Sequence, residues 1–512
     1  MVLGTASHVG KSVVATAFCR LLAERGLCVA PFKAQNMALN SFVTREGGEI
    51  GRAQAAQAEA AGVEPLNDMN PVLLKPMGGV SQVVLDGEPI GVMSARDYYS
   101  AKGTIWPRVA AAYDRLAARF AYVVLEGAGS PVEVNLADHD LTNLRMARHA
   151  DAAIVLVADI ERGGVFAQLV GTWELLGPDD RLRVVGFVIN KFRGDVSLLD
   201  GGLDFLRERT GVPVLGVLPY RADLQVDQED SLGLAATATP AEPPEGAGDG
   251  GVSVRALDVA VVQLPHLSNS TDFGPLSRVP GVRVRYAAGV RDLGSPDLLI
   301  LPGTKATVLD LEWLRATGLA SAVVALVSAR DGPTVLGICG GFQMLGRTVE
   351  DPLGVESPRP VSEGLGLLAI STRFGPEKTR HRVTGRAVAS GRRVVGYEIH
   401  MGETTRDPGV APSFALTREC DGSAVADGAT GPDGRVLGTY VHGLFDSLAY
   451  TADLVGHLRA RKGLPPVDPA AWERHRALTA DRYGPLASFL RDHLDLAPVW
   501  GALGLAPGRG PS

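Results

Sequence analysis

Short runs of apolar, β-branched residues alternate with longer stretches of helical periodicity through the first half of the chain. The apolar runs are "AYVVLE" at 121–126, "AAIVLVAD" at 152–159, "RVVGFVIN" at 183–190 and "VPVLGVLP" at 212–219. Strands that are apolar throughout and separated by helix-length segments are typical of a parallel sheet with helices on both faces. The pattern therefore predicts a doubly wound α/β domain over residues 1–235.

A second set of strand-like runs follows a stretch that has no periodicity. Residues 236–254 are rich in Ala, Pro, Gly and acidic residues, which is typical of a linker. The later runs are "DVAVVQLP" at 258–265, "DLLILPG" at 297–303, "TVLGIC" at 334–339, "VVGYEIH" at 394–400 and "VLGTYVH" at 436–442. They predict a second α/β domain over 255–450. A helical extension over 451–495 is predicted to pack on this domain, and 496–512 to be a disordered tail.

Composition and charge exclude several functional classes. The chain has 512 residues, 46% of them hydrophobic, and a formal net charge of -7. This balance provides no basic surface for nucleic acid or an anionic membrane, and no apolar stretch approaches the roughly 18 residues of a membrane span. The four cysteines (Cys19, Cys28, Cys339 and Cys420) show neither paired metal spacing nor a disulfide framework. We therefore expect a cytoplasmic enzyme with reduced thiols, whose oligomeric state the sequence leaves open.

Near the amino terminus, "GTASHVGKS" has the layout of a phosphate-binding loop. Thr5 occupies the usual first-glycine position, and Gly10, Lys11 and Ser12 close the loop where an amphipathic helical pattern begins. Backbone N–H groups at a helix start bind phosphate oxygens, the lysine can reach the terminal phosphates of ATP, and the serine hydroxyl can bind Mg²⁺. A chance glycine turn before a helix is the alternative. Only three residues precede the loop, so the first strand is predicted to be short or incomplete.

Several polar residues follow predicted strands and could complete this nucleotide site. Glu126 ends a strand where a carboxylate can hold Mg²⁺, and a solvated glutamate is the alternative. Asp138 and Asp140, in "NLADHDLTN", are candidates for substrate binding and for catalysis, and Asp159 is a further candidate, although acidic loop residues are often only solvated. Asn190 follows a strand in "VINKF", where its amide could bind a purine edge or form an ordinary turn.

A set of polar residues follows the second predicted strand in "PFKAQNMALNSF" at 31–42. Lys33, Gln35 and Asn36 are predicted to bind the substrate, because a lysine and amides near a phosphate site can bind a carboxylate or a transferred phosphoryl group. Asn40 belongs to the same set. The alternative is a solvated loop.

The stretch "VLGICGGFQML" at 335–345 places Cys339 between glycines, where a strand pattern changes to a helix pattern. This is the layout of a nucleophile elbow, in which the helix N-terminus favours the thiolate. His442, at the end of a later strand, is the predicted base; a structural cysteine and a core histidine are the alternatives. Backbone N–H groups of Gly303 and Gly340 are predicted to form the oxyanion hole.

With these motifs identified, the chain resembles the cobyric acid synthase family of glutamine-dependent amidotransferases. The resemblance covers nearly the whole chain apart from the linker and the extreme C-terminus, and its most specific motifs are "PFKAQNMALNSF" and "EGAGSPVEVNL". It implies a dethiobiotin-synthetase-like N-terminal domain and a class I glutaminase. It further implies ATP- and Mg²⁺-dependent amidation of four carboxylates (b, d, e and g) of a corrinoid, adenosylcobyrinic acid a,c-diamide, with nitrogen from L-glutamine.

The sequence departs from the expected patterns at two positions. His8 lies inside the phosphate loop where aspartate is expected in this family, and Leu444 lies where the glutamate of the class I triad is expected, two residues after His442. The third triad role is therefore open, with Glu398 as a candidate. Two other functions also remain. One is cobyrinic acid a,c-diamide synthase, which "PFKAQNMALNSF" disfavours; the other is a P-loop ATPase switch with an inactive glutaminase-like domain, which the intact Cys339 and His442 disfavour.

Overall fold

The chain divides into two compact units that are not contiguous in sequence. The computed structural model describes residues 1–221, 224 and 256–506. The N-terminal unit comprises the described residues of Met1–Ala38, Glu49–Asp227 and Asp481–Ser512, and the C-terminal unit comprises those of Leu39–Gly48 and Gln228–Ala480. The predicted linker at 236–254 lies outside the described residues.

A parallel sheet forms the centre of the N-terminal unit. Its strands, in spatial order and numbered along the chain, are β2 (Val29–Phe32), β9 (Tyr122–Leu125), β1 (Val2–Gly4), β10 (Ile154–Asp159), β11 (Val184–Phe192) and β12 (Val214–Pro219). Val2 pairs with Glu126 just after β9, which joins β2 and β9 to the other strands. Every residue of β1 and β2 is buried, so these strands lack the polar alternation of a sheet with one solvated face.

Helices cover both faces of this sheet. Val155 and Val157 of β10 belong to one buried cluster, whereas the alternating Ile154 and Leu156 belong to another. Because successive residues of a strand point to opposite faces, both faces are packed, which confirms the predicted doubly wound α/β fold. The helices of this unit are α1 (Lys11–Glu24), α2 (Arg52–Ala60), α3 (Ala95–Ala117), α4 (Leu144–His149), α5 (Val165–Leu175), α6 (Pro178–Arg181), α7 (Asp200–Thr210), α15 (Gly484–His493) and α16 (Ala497–Ala502).

The N-terminal unit also contains a smaller mixed sheet. Its strands, in spatial order, are β3 (Gln35–Met37), β6 (Val72–Met77), β7 (Val80–Leu85) and β8 (Glu88–Ser94), and the short strand β5 (Glu49–Gly51) precedes α2. β3 pairs parallel with β6, and the other pairs are antiparallel. β3 carries two of the residues predicted to bind substrate, Gln35 and Asn36.

A second, largely parallel sheet forms the centre of the C-terminal unit. Its strands, in spatial order, are β14 (Val282–Ala287), β13 (Leu257–Val262), β15 (Leu298–Leu301), β16 (Thr334–Ile338), β24 (Val436–Thr439) and the antiparallel edge strand β23 (Ala429–Thr430). β16 and β24 are parallel neighbours, so the residues that follow them lie at the same edge of the sheet. This sheet confirms the predicted second α/β fold.

The remaining elements of the C-terminal unit include a mixed sheet, one short strand and seven described α-helices. The sheet contains β18 (Val361–Glu363), β17 (Thr348–Glu350), β19 (Ile370–Ala387), β20 (Arg393–Arg406) and β25 (Val441–His442), with β21 (Phe414–Arg418) beside β19 and β22 (Ala424–Asp427) beside β21. The short strand is β4 (Ser41–Val43), and the helices are α8 (Gly274–Ser277), α9 (Val290–Leu293), α10 (Thr307–Ala316), α11 (Leu319–Ser328), α12 (Gly340–Met344), α13 (Leu448–Arg461) and α14 (Pro469–Ala480). In the described part of the chain no single helix has the length and apolar character to cross a membrane; α10 and α11 meet that test only together, with an 82° bend between them.

The last two helices differ from the prediction. α15, the last helix of the extension predicted over 451–495, belongs to the N-terminal unit, whereas the extension was predicted to pack on the second domain; α16, which lies in the predicted tail, belongs to the N-terminal unit as well. Phe489 of α15 lies in the same buried cluster as Phe18 of α1. The prediction of a disordered tail is wrong for 496–506, because α16 buries Trp500 in this cluster. A helix this short is stabilised by tertiary packing, which the local composition does not show.

The replacement of Trp500 by alanine tests whether α16 is an integral part of the N-terminal unit. The indole ring is 6% exposed, lies edge-on to Phe18 with 6.5 Å between ring centroids, and is covered by the guanidinium of Arg25. We expect Trp500→Ala to lower the free energy of unfolding of this unit by about 3–5 kcal/mol, because truncation leaves a cavity. Hydrogen exchange of peptides from β10 and β11 measures this loss. Leu182→Ala, at an exposed site, is the control, and equal effects of the two variants would contradict the assignment.

Candidate active sites

The phosphate-binding loop connects β1 to α1, and close contacts fix its shape. Gly10 has a left-handed conformation (φ 104°), and a β-carbon there would collide with the amide nitrogen of Asn190. That nitrogen donates to the Val9 carbonyl oxygen at 2.8 Å, and the Asn190 oxygen accepts the N–H of Lys191 at 2.8 Å. The backbone engages both ends of this amide, so Asn190 helps to hold the loop, and its predicted contact with a purine edge stays a prediction.

The loop presents the donors that a phosphate group needs. The Lys11 ammonium donates to the carbonyl oxygens of Ala6 at 2.9 Å and of Gly129 at 3.1 Å, so it lies across the loop. The Thr5 hydroxyl donates to Gln168 at 3.1 Å, which secures the start of the loop. The backbone N–H groups at the start of α1, a helix of 14 residues, add the positive end of its dipole.

Lys191 links the loop to another of the predicted acidic residues. Its ammonium donates to the carbonyl oxygen of His8 at 2.9 Å and pairs with Asp159 at 2.7 Å. Only the backbone of His8 takes part in this contact. The residue has a positive φ of 60°, and its side chain is exposed. Asp159 therefore supports the loop through Lys191.

Glu126 is a buried carboxylate just after β9. It is 1% exposed, which excludes the alternative of a solvated glutamate. One oxygen accepts from the Ser12 hydroxyl at 2.8 Å and pairs with the Lys33 ammonium at 2.9 Å, and the other accepts from Gln57 at 2.6 Å. Burial alone would raise the pKa of Glu126, but the charge of Lys33 and these hydrogen bonds hold it below its ordinary value. The carboxylate therefore stays ionised beside Ser12.

The predicted substrate-binding residues are held in place by other side chains. Lys33 and Asn36 are buried, which excludes a solvated loop for these two residues. The Asn36 amide donates to Gln54 at 2.9 Å, and the Tyr98 hydroxyl donates to the Gln35 side chain at 2.6 Å. The side-chain oxygen of Asn36 is buried without a hydrogen-bond partner, so this fixed amide keeps an acceptor for a polar ligand.

The two acidic candidates after β9 lie in different surroundings. Asp138 is exposed on the 3₁₀ helix Val134–His139. The Asp140 carboxylate accepts hydrogen bonds from the backbone N–H groups of Thr142 and Asn143, each at 2.9 Å. Asp140 therefore shapes the turn that leads into α4, and its catalytic role stays a prediction.

Cys339 lies in a strained turn between β16 and α12. It has φ 51° and ψ −112°, a conformation that non-glycine residues rarely adopt. The following glycines permit the turn: a β-carbon on Gly340 would lie 2.6 Å from the Thr304 methyl carbon, and one on Gly341 would collide with the Leu301 carbonyl oxygen. The structure thus forms the strand, sharp turn and helix of the predicted nucleophile elbow.

His442 forms a buried pair with Asp272. Its Nδ1 lies 2.7 Å from one carboxylate oxygen of Asp272, and the other oxygen accepts the N–H of Gly443 at 3.0 Å. Both side chains are almost fully buried. Glu398, the candidate third residue, instead pairs with Arg418 at 2.6 Å. The structure therefore replaces Glu398 by Asp272 as the carboxylate that orients the imidazole.

The charge of His442 depends on its neighbours. Burial alone would lower the pKa of His442, but Asp272, by its charge and hydrogen bond, and Cys339, by a hydrogen bond and its charge, raise it to about 10. The thiol and the imidazole are therefore electrostatically coupled. A protonated histidine next to a cysteine favours the thiolate, which is the nucleophilic form.

Further groups surround the thiol and the imidazole. A β-carbon on Gly303 would lie 3.1 Å from Cε1 of His442, so the structure brings Gly303, together with Gly340, beside the predicted catalytic pair. The Tyr397 ring stacks on the imidazole with ring centroids 5.6 Å apart. The Cys339 sulfur lies 3.6 Å from the carbonyl oxygen of Ile399.

Asp272 is the functional residue that sequence reasoning missed. It lies 170 residues before His442 and belongs to the 3₁₀ helix Ser270–Phe273, within the sequence "LSNSTDF". Aspartates in such Ser- and Asn-rich turns ordinarily bond to nearby backbone, so the pattern alone does not indicate catalysis. The sequence feature that could have pointed to Asp272 is this polar stretch, which closely follows a predicted strand.

Mg²⁺ would need few protein ligands at the phosphate loop. In the parts of the chain described above, no group of three or more His, Cys, Asp or Glu side chains could hold a metal ion. The Ser12 hydroxyl and the ionised Glu126 lie 2.8 Å apart, and such a small oxygen set fits Mg²⁺, which keeps most of its coordination for phosphates and water.

Comparisons with known proteins match both halves of the chain. A model of the CobQ/CobB/MinD/ParA nucleotide binding domain matches residues 1–232, and a model of the CobB/CobQ-like glutamine amidotransferase domain matches residues 258–450. The chain is 50% identical to a cobyric acid synthase of Sorangium cellulosum (99% of this chain and 98% of the relative covered). It is 48% identical to one of Pelotomaculum thermopropionicum (100% and 97% covered) and 45% identical to one of Desulforamulus reducens (99% and 98% covered).

The titration of His442 tests the role of Asp272. The charged His442 should stabilise the fold fully below pH 6.5, and this stabilisation should be lost as the pH rises through about 10. We expect Asp272→Asn to lower the pKa of His442, because the neutral amide no longer offsets the cost of burying the imidazolium. NMR of the imidazole nitrogens measures the change. Glu398→Gln is the matched control, and a His442 titration that Asp272→Asn leaves unaltered would exclude the pair.

Proposed function

The chain belongs to the cobyric acid synthase family, and on this basis we propose that it amidates the b, d, e and g carboxylates of adenosylcobyrinic acid a,c-diamide to give adenosylcobyric acid. The nitrogen comes from L-glutamine, and ATP activates each carboxylate. The observation that carries this proposal is the buried group of Cys339, His442 and Asp272 in the same chain as a phosphate-binding loop. The intact thiol and imidazole disfavour a nucleotide switch with an inactive glutaminase-like domain.

The C-terminal unit supplies ammonia. The Cys339 thiolate attacks the side-chain amide carbon of glutamine, and N–H groups of Gly303 and Gly340 stabilise the oxyanion. The protonated His442 donates its proton to the leaving nitrogen, which departs as ammonia and leaves a thioester. Water, deprotonated by the neutral His442, then attacks the thioester and releases glutamate. Asp272 keeps the imidazole ring oriented through both steps.

The N-terminal unit activates the acceptor. A carboxylate is a poor acyl donor to ammonia, because its charge is delocalised and hydroxide is a poor leaving group. Transfer of the terminal phosphoryl group of ATP to the carboxylate gives an acyl phosphate, and attack by ammonia then releases phosphate and forms the amide. Lys11 binds the transferred phosphoryl group, while Lys33, Gln35 and Asn36 bind the carboxylate.

Each remaining predicted residue has a place in this scheme. Thr5 and Gly10 shape the phosphate loop, and Ser12 and Glu126 would hold Mg²⁺, which when bound neutralises phosphate charge. Asp138 would contact the corrinoid, and Asp140 would orient the acceptor through the turn that it holds. The ionised state of Glu126 supports the magnesium assignment, because a neutral carboxyl group is a weak ligand.

Cys339→Ala separates the two half-reactions. We expect the variant to lose glutamine-supported amidation by about 10³-fold or more, because the nucleophile is removed. Exogenous ammonia should still support amidation, since the synthetase reaction does not use the thiol. Mass spectrometry of the corrinoid product measures both activities, and each amidation shifts the mass by one fixed step. Cys420→Ala, which removes an exposed cysteine of the same unit, is the control. Equal loss of glutamine-supported and ammonia-supported amidation would contradict the assignment of the two half-reactions to different units.

Lys11→Ala tests the phosphate loop. We expect product formation to fall by about 10²-fold or more with either nitrogen source, because the charge that binds the transferred phosphoryl group is lost. Basal glutamine hydrolysis should persist. Arg20→Ala, on the exposed side of the same helix, is the matched control. Full amidation by the Lys11 variant would refute the assigned role.

A further inference from the structure

A segment from the N-terminal part of the sequence belongs to the C-terminal unit. The chain from Leu39 to Gly48, here called the 39–48 segment, is part of this unit, although the residues on either side of it belong to the other. It contains β4 and directly follows the predicted substrate-binding residues Lys33, Gln35 and Asn36. Its contacts within the C-terminal unit lead to the residues that position His442.

The first set of contacts holds the turn that carries Asp272. The Asn40 side-chain oxygen accepts from the backbone N–H of Ser270 at 2.9 Å and from its hydroxyl at 3.3 Å. In return, the Asn269 side-chain oxygen accepts the N–H of Ser41 at 3.0 Å. Asn269 has a left-handed conformation (φ 53°) and is the residue from which the 3₁₀ helix with Asp272 begins. Two buried amides thus fix this turn against the 39–48 segment.

The second set of contacts holds the ring that stacks on His442. The Tyr397 hydroxyl donates to the carbonyl oxygen of Ser41 at 2.8 Å, while its ring stacks on the imidazole. Val43 packs with Tyr397 and Ile399 in a small buried cluster. Tyr397 also pairs with His442 along the strands β20 and β25. The segment therefore contacts both supports of the imidazole, namely the Asp272 turn and Tyr397.

From these contacts we infer that the 39–48 segment positions the glutaminase triad, with Asn40 and Ser41 as positioning residues that act through Asn269, Ser270 and Tyr397. The inference rests on the proposed function, because it assigns His442 and Asp272 to glutamine hydrolysis. A buried N–H that loses its acceptor is costly, and we expect the Ser270 turn to move toward another partner. Such a movement displaces Asp272, on which the imidazole orientation depends, and a displacement of about 1 Å is enough to slow a preorganised reaction.

Three variants test this inference on the full chain. Asn40→Ala removes the acceptor for Ser270. Asn269→Gly removes the acceptor for Ser41 but tolerates the left-handed backbone. Tyr397→Phe removes one hydrogen bond and retains the stacked ring. We expect kcat for glutamine hydrolysis to fall about 10- to 100-fold in the first two variants and about 3- to 10-fold in the third. KM for glutamine should change by less than about threefold, since none of these groups is assigned to glutamine binding.

Two further measurements distinguish positioning from a general structural role. Amidation supported by exogenous ammonia should be unchanged in Asn269→Gly and Tyr397→Phe, because it does not use the triad. The rate of Cys339 alkylation by iodoacetamide at a fixed pH should fall, because a displaced imidazole activates the thiol less. Ser328→Ala removes a side-chain hydrogen bond on exposed α11 of the same unit and should change neither measurement. Asn40→Asp keeps the acceptor oxygen and should recover part of kcat.

The possible results are distinguishable. Unchanged kcat in Asn40→Ala and Tyr397→Phe overturns the inference, and so does an equal loss of glutamine- and ammonia-supported amidation. If Asn40→Ala does not fold, Tyr397→Phe, the least disruptive variant, decides between a positioning role and a general structural role of the segment. A wild-type protein that amidates with ammonia but hydrolyses no glutamine would instead refute the proposed function, whatever the variants do.

Discussion

The buried pair of His442 and Asp272 is the interaction on which the glutaminase site depends. A charged imidazole away from water is costly, and a buried aspartate is costly as well, so each requires the other. Removal of either partner leaves an uncompensated charge in the interior. The pair therefore holds the imidazolium beside Cys339, and the ring orientation follows from the 2.7 Å contact. The cysteine in the elbow can act as a nucleophile because the His442–Asp272 pair lies beside it.

Both units use the same arrangement for different chemistry. In each, a buried parallel strand ends, the chain turns sharply, and a helix begins with its N–H groups exposed to a reacting group. At the phosphate loop, the conformation of Gly10 and the nearby amide of Asn190 fix the turn. At the elbow, the small residues Gly340 and Gly341 permit a strained backbone at Cys339. The ligands differ because the first helix start carries Lys11 and lies beside Glu126, whereas the second lies beside an imidazole.

Much of this could be predicted from local patterns, and the remainder depends on long-range packing. Apolar runs and helix starts identified both sheets, the phosphate loop and the position of Cys339 and His442 at strand ends, because each is a feature of neighbouring residues. Asp272 could not be identified in this way, since it meets His442 only through the folding of a turn 170 residues away. α16 was missed for a similar reason, because the helix is stable only where Trp500 packs against Phe18. Burial of Lys33 against Glu126 likewise has no signature in the local sequence.

The discontinuity of the C-terminal unit bears on how such a protein can be divided or recombined. A fragment that begins after the predicted linker would lack Val43 and would expose the apolar side of Tyr397 and Ile399 to water. It would also leave the Asn269 amide facing solvent where Ser41 now lies. The two catalytic halves therefore cannot be exchanged freely between relatives: a glutaminase grafted onto another synthetase must keep its matching upstream strand, or the residues that contact this strand must be redesigned.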